Sequence, residues 1–238
     1  MKIHNIASST VMIESHKTRV LMDPWFVNGE YYGSWCHTQD IDVDLAFLNS
    51  ATHIYISHIH PDHFSRKSLE MLNKNIPVLI HSYASKFLKL NIERLGFEVL
   101  EIEHDQEFQL DSETKIKIYA ADNCNPELCS KFMGCSSVEV NYKTTQIDSL
   151  SLIYNNNFSV LNTNDCPFDL ASETIDLIHK KHKKQIDLLL VGYAGAGPYP
   201  QCFIMPENVK IEAAKTKEKQ FIEQGLKFID KVNPKHYM

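Results

Sequence analysis

The stretch "YISHIHPDHFS", residues 55–65, places three histidines and an aspartate within six positions, directly after a short apolar run. In an extended segment, side chains two positions apart point the same way, so His58 and His60 can both reach one point in space. Asp62 and His63 follow a proline turn at the predicted start of a helix, where neighbouring side chains diverge by about 100°. The spacing therefore predicts a binding site for two metal ions, or for one ion together with the side chains that orient its ligands.

Such a cluster is rare by chance. The chain has 12 histidines in 238 residues, and at this composition the expected number of H-x-H-x-D-H matches is about 0.002. Imidazoles this close repel one another when charged and gain little from packing when neutral. The alternative interpretation is a solvated polar turn between a strand and a helix.

Composition narrows the class of protein. A hydrophobic fraction of 43% and a charged fraction of 23% are typical of a soluble globular protein, and the length fits one domain over residues 1–238. The net charge of −6 argues against nucleic acid as the main partner. We expect no membrane span, because no stretch approaches 18 uninterrupted apolar residues. The N-terminus lacks a secretory signal and the six cysteines form no CxxC, which indicates a cytoplasmic protein with reduced thiols.

The order of predicted elements indicates the fold class. Strands come first, strand and helix then alternate, and the same order repeats in the second half. Helices are predicted over Ser65–Lys74, near Phe168–Lys184 and near Glu212–Val232, the last with an apolar face that includes Ile222 and Leu226. An αββα four-layer sandwich, two sheets packed face to face with helices outside, fits this order best. A doubly wound sheet fits less well, because the opening strands lack crossover helices.

The segment "SHIHPDH", residues 57–63, resembles the signature of the metallo-β-lactamase superfamily at every fixed position. Two further segments resemble that superfamily. "VLMDPWF" is similar to its early strand that ends in an aspartate, here Asp23, and "SVLNTND" is similar to its later strand whose terminal aspartate, here Asp165, bridges the metals. The resemblance covers nearly the whole chain and implies the αββα metallo-β-lactamase fold.

Four loop segments resemble one branch of the superfamily. "DPWFVNGEYYGSW", "DNCNPELC", "LNTNDC" and "GAGPYPQCF" are similar to the catalytic domain of CMP-N-acetylneuraminate hydroxylases and their bacterial relatives. This resemblance implies iron-dependent oxygenase chemistry. The chain contains neither C-x-H nor C-x-x-H, the ligand pairs of a Rieske cluster, so the electrons would have to come from an external donor.

The superfamily resemblance also implies a ligand set. His58 and His60 would hold a first metal, Asp62 and His63 a second, and Asp165 would bridge them. The superfamily usually places a further histidine between the cluster and the bridging aspartate, but no histidine lies between positions 104 and 179. Asp122 stands where that ligand is sought. The superfamily usually places a last ligand histidine after the final strand. The sequence stops at "NPKHYM", so the chain is expected to be C-terminally short or to have a rebuilt site.

Five other residues are candidates around the metals. Asp23 is a candidate to orient a ligand histidine, with an Asp-Pro turn as the alternative. His81 is a candidate supporting partner, with a structural histidine as the alternative. Trp25, Trp35 and Tyr193 are candidates for the wall of a substrate pocket. A packed aromatic plug is the alternative for the tryptophan-containing loop.

These residues point to a metal-dependent hydrolase. A metal lowers the pKa of bound water towards neutrality, and Asp62 or Asp165 would orient that water and move its proton. Zinc suits imidazole and carboxylate ligands, as one or two ions, with iron or manganese as alternatives. The bond cleaved is an ester, amide, phosphodiester or lactone of a small molecule, and the subfamily resemblance suggests a sugar or nucleotide sugar. The alternatives are the oxygenase component and a non-catalytic relative that binds a ligand.

Overall fold

The computed structural model describes residues 1–39, 41–83, 86–121, 148–193 and 199–238, and these ranges contain two six-stranded sheets. The strands of the first sheet lie side by side in chain order. They are β1 (Lys2–Ala7), β2 (Thr10–Ser15), β3 (Thr18–Met22), β4 (His53–Tyr55), β5 (Val78–His81) and β6 (Val99–Ile102).

The strands of the second sheet also lie side by side in chain order, from β7 at one edge to β12 at the other. Its strands are β7 (Glu107–Gln109), β8 (Lys115–Ala120), β9 (Ser149–Tyr154), β10 (Ser159–Asn162), β11 (Leu188–Leu190) and β12 (His236–Tyr237).

Six helices join these strands in the described residues. They are α1 (Glu30–Gly33), α2 (Leu45–Leu48), α3 (Arg66–Glu70), α4 (Phe87–Glu93), α5 (Phe168–His182) and α6 (Glu207–Val232). The shortest are single turns, and α5 and α6 are the only long ones among them.

Strand direction places the ends of several strands at one edge. β1, β2 and β3 are antiparallel, whereas β3, β4, β5 and β6 run parallel to one another. Because the carboxyl ends of parallel strands meet at the same edge of a sheet, the residues that follow β3 and β4 come together there. In the second sheet β9 and β10 are antiparallel, so the residue before β9 and the residues after β10 also share an edge.

Three apolar clusters separate the layers. One cluster joins the inner faces of both sheets and includes Val20 and Tyr55 from the first and Ile118 and Val160 from the second. The other two lie on the outer faces, where α3 and α4 cover the first sheet and α5 and α6 cover the second. The predicted αββα four-layer arrangement is confirmed.

Some boundaries differ from the predictions. The helix predicted over Ser65–Lys74 ends at Glu70, and Ser65 is its N-cap, accepting a hydrogen bond from the Ser68 amide at 3.1 Å. The helix predicted near Glu212 begins earlier, at Glu207, and β12 was not predicted. The segment "SSVEVNY", residues 136–142, predicts a further strand from its sequence, but it lies outside the described residues. In the part of the chain that the structure describes, no helix is long and apolar enough to cross a membrane.

The predicted apolar face of α6 is only partly correct. Ile222 and Leu226 are 47% and 53% exposed, while Gly225, Phe228 and Val232 are buried. At 1.5 Å per residue the 26-residue helix is about 39 Å long, yet its buried residues all lie in its last two turns. In its first half, Val209 and Ile211 are exposed.

Candidate metal centre

A buried aspartate at the end of β3 organises the centre. Asp23 is fully buried and has a left-handed backbone (φ 42°), a conformation that aspartate tolerates better than most residues. Its Oδ1 accepts the Ser57 amide at 2.7 Å, and its Oδ2 accepts the Ser57 hydroxyl at 2.8 Å. The Nδ1 atom of His63 lies 2.9 Å from the same Oδ2. Asp23 thus fixes the start of the histidine cluster and its last member together.

The turn after β4 folds His63 back over the strand end. The amides of His63 and Phe64 both donate to the His60 carbonyl, at 2.9 and 2.7 Å. Since Asp23 engages Nδ1, the Nε2 atom of His63 faces the other way, 3.3 Å from Asp165 Oδ2 and 3.8 Å from Asp62 Oδ2. Burial lowers the pKa of His63, but attraction to Asp165 and Asp23 outweighs it and holds that pKa well above its usual value.

His58 is likewise held by a carboxylate, which comes from the second sheet. Its Nδ1 lies 2.6 Å from Asp148 Oδ1, and both side chains are almost fully buried. The Ser57 hydroxyl is 3.0 Å from the same nitrogen. The Nε2 atom of His58 therefore points away from Asp148, and it lies 2.7 Å from Nδ1 of His60.

A short turn after β10 presents Asp165 to the two rings. The Asn162 side chain accepts the Asn164 amide at 3.0 Å, and Asn164 has a left-handed backbone (φ 48°), the pattern of an Asx-turn. The Asp165 side chain is 34% exposed. Burial raises the pKa of Asp165, but attraction to His63 outweighs it and lowers the pKa below its usual value.

These donors fit a divalent transition metal. His58, His63 and Asp165 each offer a ligand atom, and the three atoms lie within 4.8 Å of one another. Each histidine has a carboxylate at Nδ1, the arrangement that metal-binding histidines usually have. The Nε2 atoms face other candidate ligands, His60 for His58 and Asp165 for His63. Asp62 adds a buried Oδ1 with no hydrogen-bond partner among the described residues. Imidazole and carboxylate ligands are common to zinc, iron and manganese sites.

The sequence-predicted ligands divide into two groups. His58, His60, Asp62, His63 and Asp165 are brought together, with the His58 and His60 ring centroids 4.6 Å apart and those of His58 and His63 4.3 Å apart. Asp122 lies outside the described residues.

His81 ends β5 at the same sheet edge but contacts other groups. Its ring packs on Tyr83, with centroids 4.7 Å apart, and near His104, at 6.1 Å. It is 2% exposed, and neither ring nitrogen has a hydrogen-bond partner among the described residues. Burial lowers the pKa of His81 to about 4.

The predicted aromatic candidates occupy different places. Trp25 and Tyr193 line an open cleft of about 650 Å³ that also contains Asp62, His63 and Asp165. Trp25 is 7% exposed, and its indole donates to the Val27 carbonyl at 2.8 Å. Trp35 stacks on Tyr31 at 4.9 Å and does not line the cleft.

Two organising residues were missed in the sequence. Ser57 directly precedes His58 and is fully buried, so a polar residue at the end of an apolar strand was an available signal. Asp148 had no such signal, because its contact with His58 joins positions 90 apart in the chain. The two sheets share the centre: Asp23, His58 and His63 follow strands of the first, while Asp148 precedes β9 and Asp165 follows β10.

Comparisons with known proteins agree with this geometry. A family model described as "Beta-lactamase superfamily domain" matches residues 2–130. A relative from Mycolicibacterium smegmatis, named "Putative Rieske 2Fe-2S iron-sulfur protein", is 27% identical over 241 residues, which is 98% of this chain and 42% of the relative. The chain thus spans about two-fifths of the length of the curated relatives it matches.

Two solved structures share the fold. An isothiocyanate hydrolase from Delia radicum gut bacteria has a TM-score of 0.60 at 15% identity, covering 90% of this chain and 80% of the other. CmlA, a diiron β-hydroxylase from Streptomyces venezuelae, has a TM-score of 0.60 at 15% identity, covering 99% of this chain and 43% of the other. At this level of identity the likeness concerns the fold alone.

Proposed function

The chain belongs to the beta-lactamase superfamily, and from this membership and the geometry of the histidine cluster we propose that it is a metal-dependent hydrolase of a small molecule. One observation carries the proposal. His58 and His63 each have a carboxylate at Nδ1, Asp148 and Asp23 respectively. Their Nε2 atoms therefore point towards other candidate ligands, His60 for His58 and Asp165 for His63, where an ion would bind. A surface histidine cluster would not need two buried carboxylates to set its ring orientation.

His58, His60, Asp62, His63 and Asp165 would hold one or two ions, with zinc the best match and iron or manganese as alternatives. When bound, such an ion lowers the pKa of a coordinated water towards 7 and polarises the oxygen of the scissile group. Asp23 and Asp148 fix the histidine rings, so the ligand nitrogens are set before substrate arrives.

Asp62 is the best-placed group to move the proton. Its Oδ1 is buried without a partner among the described residues, and burial raises its pKa above the usual value. Because proton transfer is most efficient when the pKa of the catalytic group lies near the working pH, the raised pKa makes Asp62 a better base towards the attacking water than an ordinary carboxylate. The water oxygen bonds to the substrate carbon, the bond to the leaving atom breaks, and Asp62 delivers the proton to that atom. Asp165, whose pKa is lowered, stays ionised throughout.

The first experiment measures metal and hydrolysis together. The purified protein is assayed for zinc, iron and manganese by mass spectrometry, then tested on nitrophenyl esters and bis(p-nitrophenyl) phosphate after metal loading. We expect one or two ions per chain and hydrolysis that chelation abolishes. Full metal loading with every substrate silent would contradict the hydrolase. Protein that binds no metal would favour a non-catalytic ligand-binding relative.

A second candidate function has its own support. The mycobacterial relative, whose printed name includes a Rieske cluster, aligns over 98% of this chain, and CmlA shares the fold. An iron-dependent oxygenase component that receives electrons from an external donor is therefore the alternative proposal. Two irons per chain with a visible absorption band that bleaches on chemical reduction, together with no hydrolysis, would favour it over the hydrolase.

A further inference from the structure

The cleft beside the metal centre is lined by both hydroxyl and apolar groups. Ser8 and Ser9, in the turn between β1 and β2, line it. Leu190, Val191 and Tyr193, at and beyond the end of β11, add apolar surface. The volume of about 650 Å³ lies within the range of pockets that enclose small organic ligands. A ligand here meets both hydroxyl groups and apolar surface.

The charged side chains that the described residues bring into the cleft belong to the metal centre. Among those residues, Asp62, His63 and Asp165 are the side chains that can carry charge near neutral pH, and none is lysine or arginine. Proteins that bind phosphates usually supply guanidinium or ammonium groups, because charge-assisted hydrogen bonds hold the oxygens. The described walls supply no such group beyond the centre itself.

Several polar side chains in the cleft bond to the protein itself. The Asn164 amide donates to the Ser149 carbonyl at 2.7 Å, and the Asn162 side-chain oxygen accepts the Asn164 backbone amide. The Ser9 hydroxyl donates to the Asp62 carbonyl. These bonds hold the turns in place, and neither an amide nor a hydroxyl carries a charge that could neutralise an anionic ligand.

We infer that the cleft takes an uncharged small molecule with an apolar segment, so that the bond cleaved is an ester, amide or lactone rather than a phosphodiester. The choice of bond rests on the proposed hydrolase. In that reaction the water oxygen bonds to the carbonyl carbon, the carbon–oxygen or carbon–nitrogen bond breaks, and the leaving atom takes the proton. The apolar segment of the substrate lies against Val191 and Tyr193.

Two probes of similar shape test the charge selection by binding alone. Phenylacetone is neutral and cannot be hydrolysed, whereas methyl phenyl phosphate carries one negative charge. Each is titrated into metal-loaded protein in the Trp35→Phe variant, where Trp25 is the single remaining tryptophan and lines the cleft. We expect phenylacetone to bind at least tenfold more tightly, and Val191→Lys to improve methyl phenyl phosphate binding at least tenfold.

The controls separate this inference from the proposed function. Asn5→Lys places a cation in the cleft at another lining position, in case Val191→Lys fails to fold. Val209→Lys, on the exposed first half of α6, should leave both affinities unchanged. Equal or tighter binding of methyl phenyl phosphate by the unaltered cleft, or binding of neither probe, overturns the inference. Metal content measured on the same samples reports on the proposed function independently.

Discussion

Replacing Asp23 with asparagine should weaken metal binding through a tautomer change in His63. Asparagine keeps an oxygen for the Ser57 amide, but its NH₂ group then faces His63 Nδ1, which lies 2.9 Å from Asp23 Oδ2 in the native protein. That NH₂ can only donate, so Nδ1 must give up its proton and the proton moves to Nε2. Nε2 is the atom directed at Asp165, so the ligand lone pair is lost.

The expected loss of metal affinity follows from what carboxylates that orient metal-binding histidines contribute in other proteins. Removing the orienting partner of a metal-binding histidine typically costs 10- to 100-fold in affinity, or about 1.4 to 2.7 kcal/mol. We expect the upper end, because Asp23 also anchors Ser57, whose hydroxyl lies 3.0 Å from His58 Nδ1. Competition against a chromophoric chelator gives the affinity, and long-range ¹H–¹⁵N couplings give the His63 tautomer.

Asp187 offers a matched control. It accepts the amide and hydroxyl of Ser159, at 2.9 and 3.1 Å, as Asp23 does from Ser57, but it pairs with Lys235 and lies outside the metal centre. Asp187→Asn should lower the free energy of unfolding by an amount similar to Asp23→Asn while leaving metal affinity unchanged. A folded Asp23→Asn variant with native metal affinity and a native His63 tautomer would refute the reasoning.

Three further outcomes follow from the same contacts. His60→Ala should lose one ion per chain or bind it at least tenfold more weakly, and unchanged metal content by mass spectrometry would disprove the ligand assignment. His81 has a folded-state pKa of about 4, below the unfolded value of about 6.5, so its neutral form stabilises the protein above pH 6.5 and that stability is lost as the pH falls towards 4. Urea unfolding should show up to about 3 kcal/mol of such loss in the native chain and little of it in His81→Phe; equal acid sensitivity would contradict this. Gly192→Ala would put a Cβ 3.0 Å from the Asn164 carbonyl oxygen, so kcat/KM on the best ester should fall about 10- to 100-fold as the neighbouring turn shifts, and native kinetics would show that the turn does not hold the catalytic geometry.

The parts of the centre that sequence reasoning found depend on local geometry. The alternation of a strand places His58 and His60 on one side, and the proline turn after them brings Asp62 and His63 into reach. The contacts of Asp23 with Ser57 and His63 agree with its predicted supporting role. That aspartate precedes a proline at the end of a strand, which is a visible local signal.

The parts that were missed depend on contacts between distant segments. Nothing near Asp148 in the sequence distinguishes it from a surface aspartate, and its importance comes from meeting His58 across the two sheets. The face of α6 was misjudged for a related reason. A period of 3.6 residues shows which side chains lie along one stripe, but Gly225, Phe228 and Val232 form the buried face of α6, and Ile222 and Leu226 lie outside it. The period cannot show which part of an apolar stripe meets a neighbouring element.

In the proposed metalloprotein, the division of the centre between the two sheets would link metal supply to the lifetime of the protein. An ion bound by His58 and His63 from one sheet and Asp165 from the other would act as a removable cross-link between the halves of the sandwich. At a free metal concentration one thousand times Kd, such a ligand adds about 4 kcal/mol to the free energy of unfolding. In a cell short of that metal, the protein would therefore be less stable and more readily degraded. The abundance of the protein would then report the metal status of the cell.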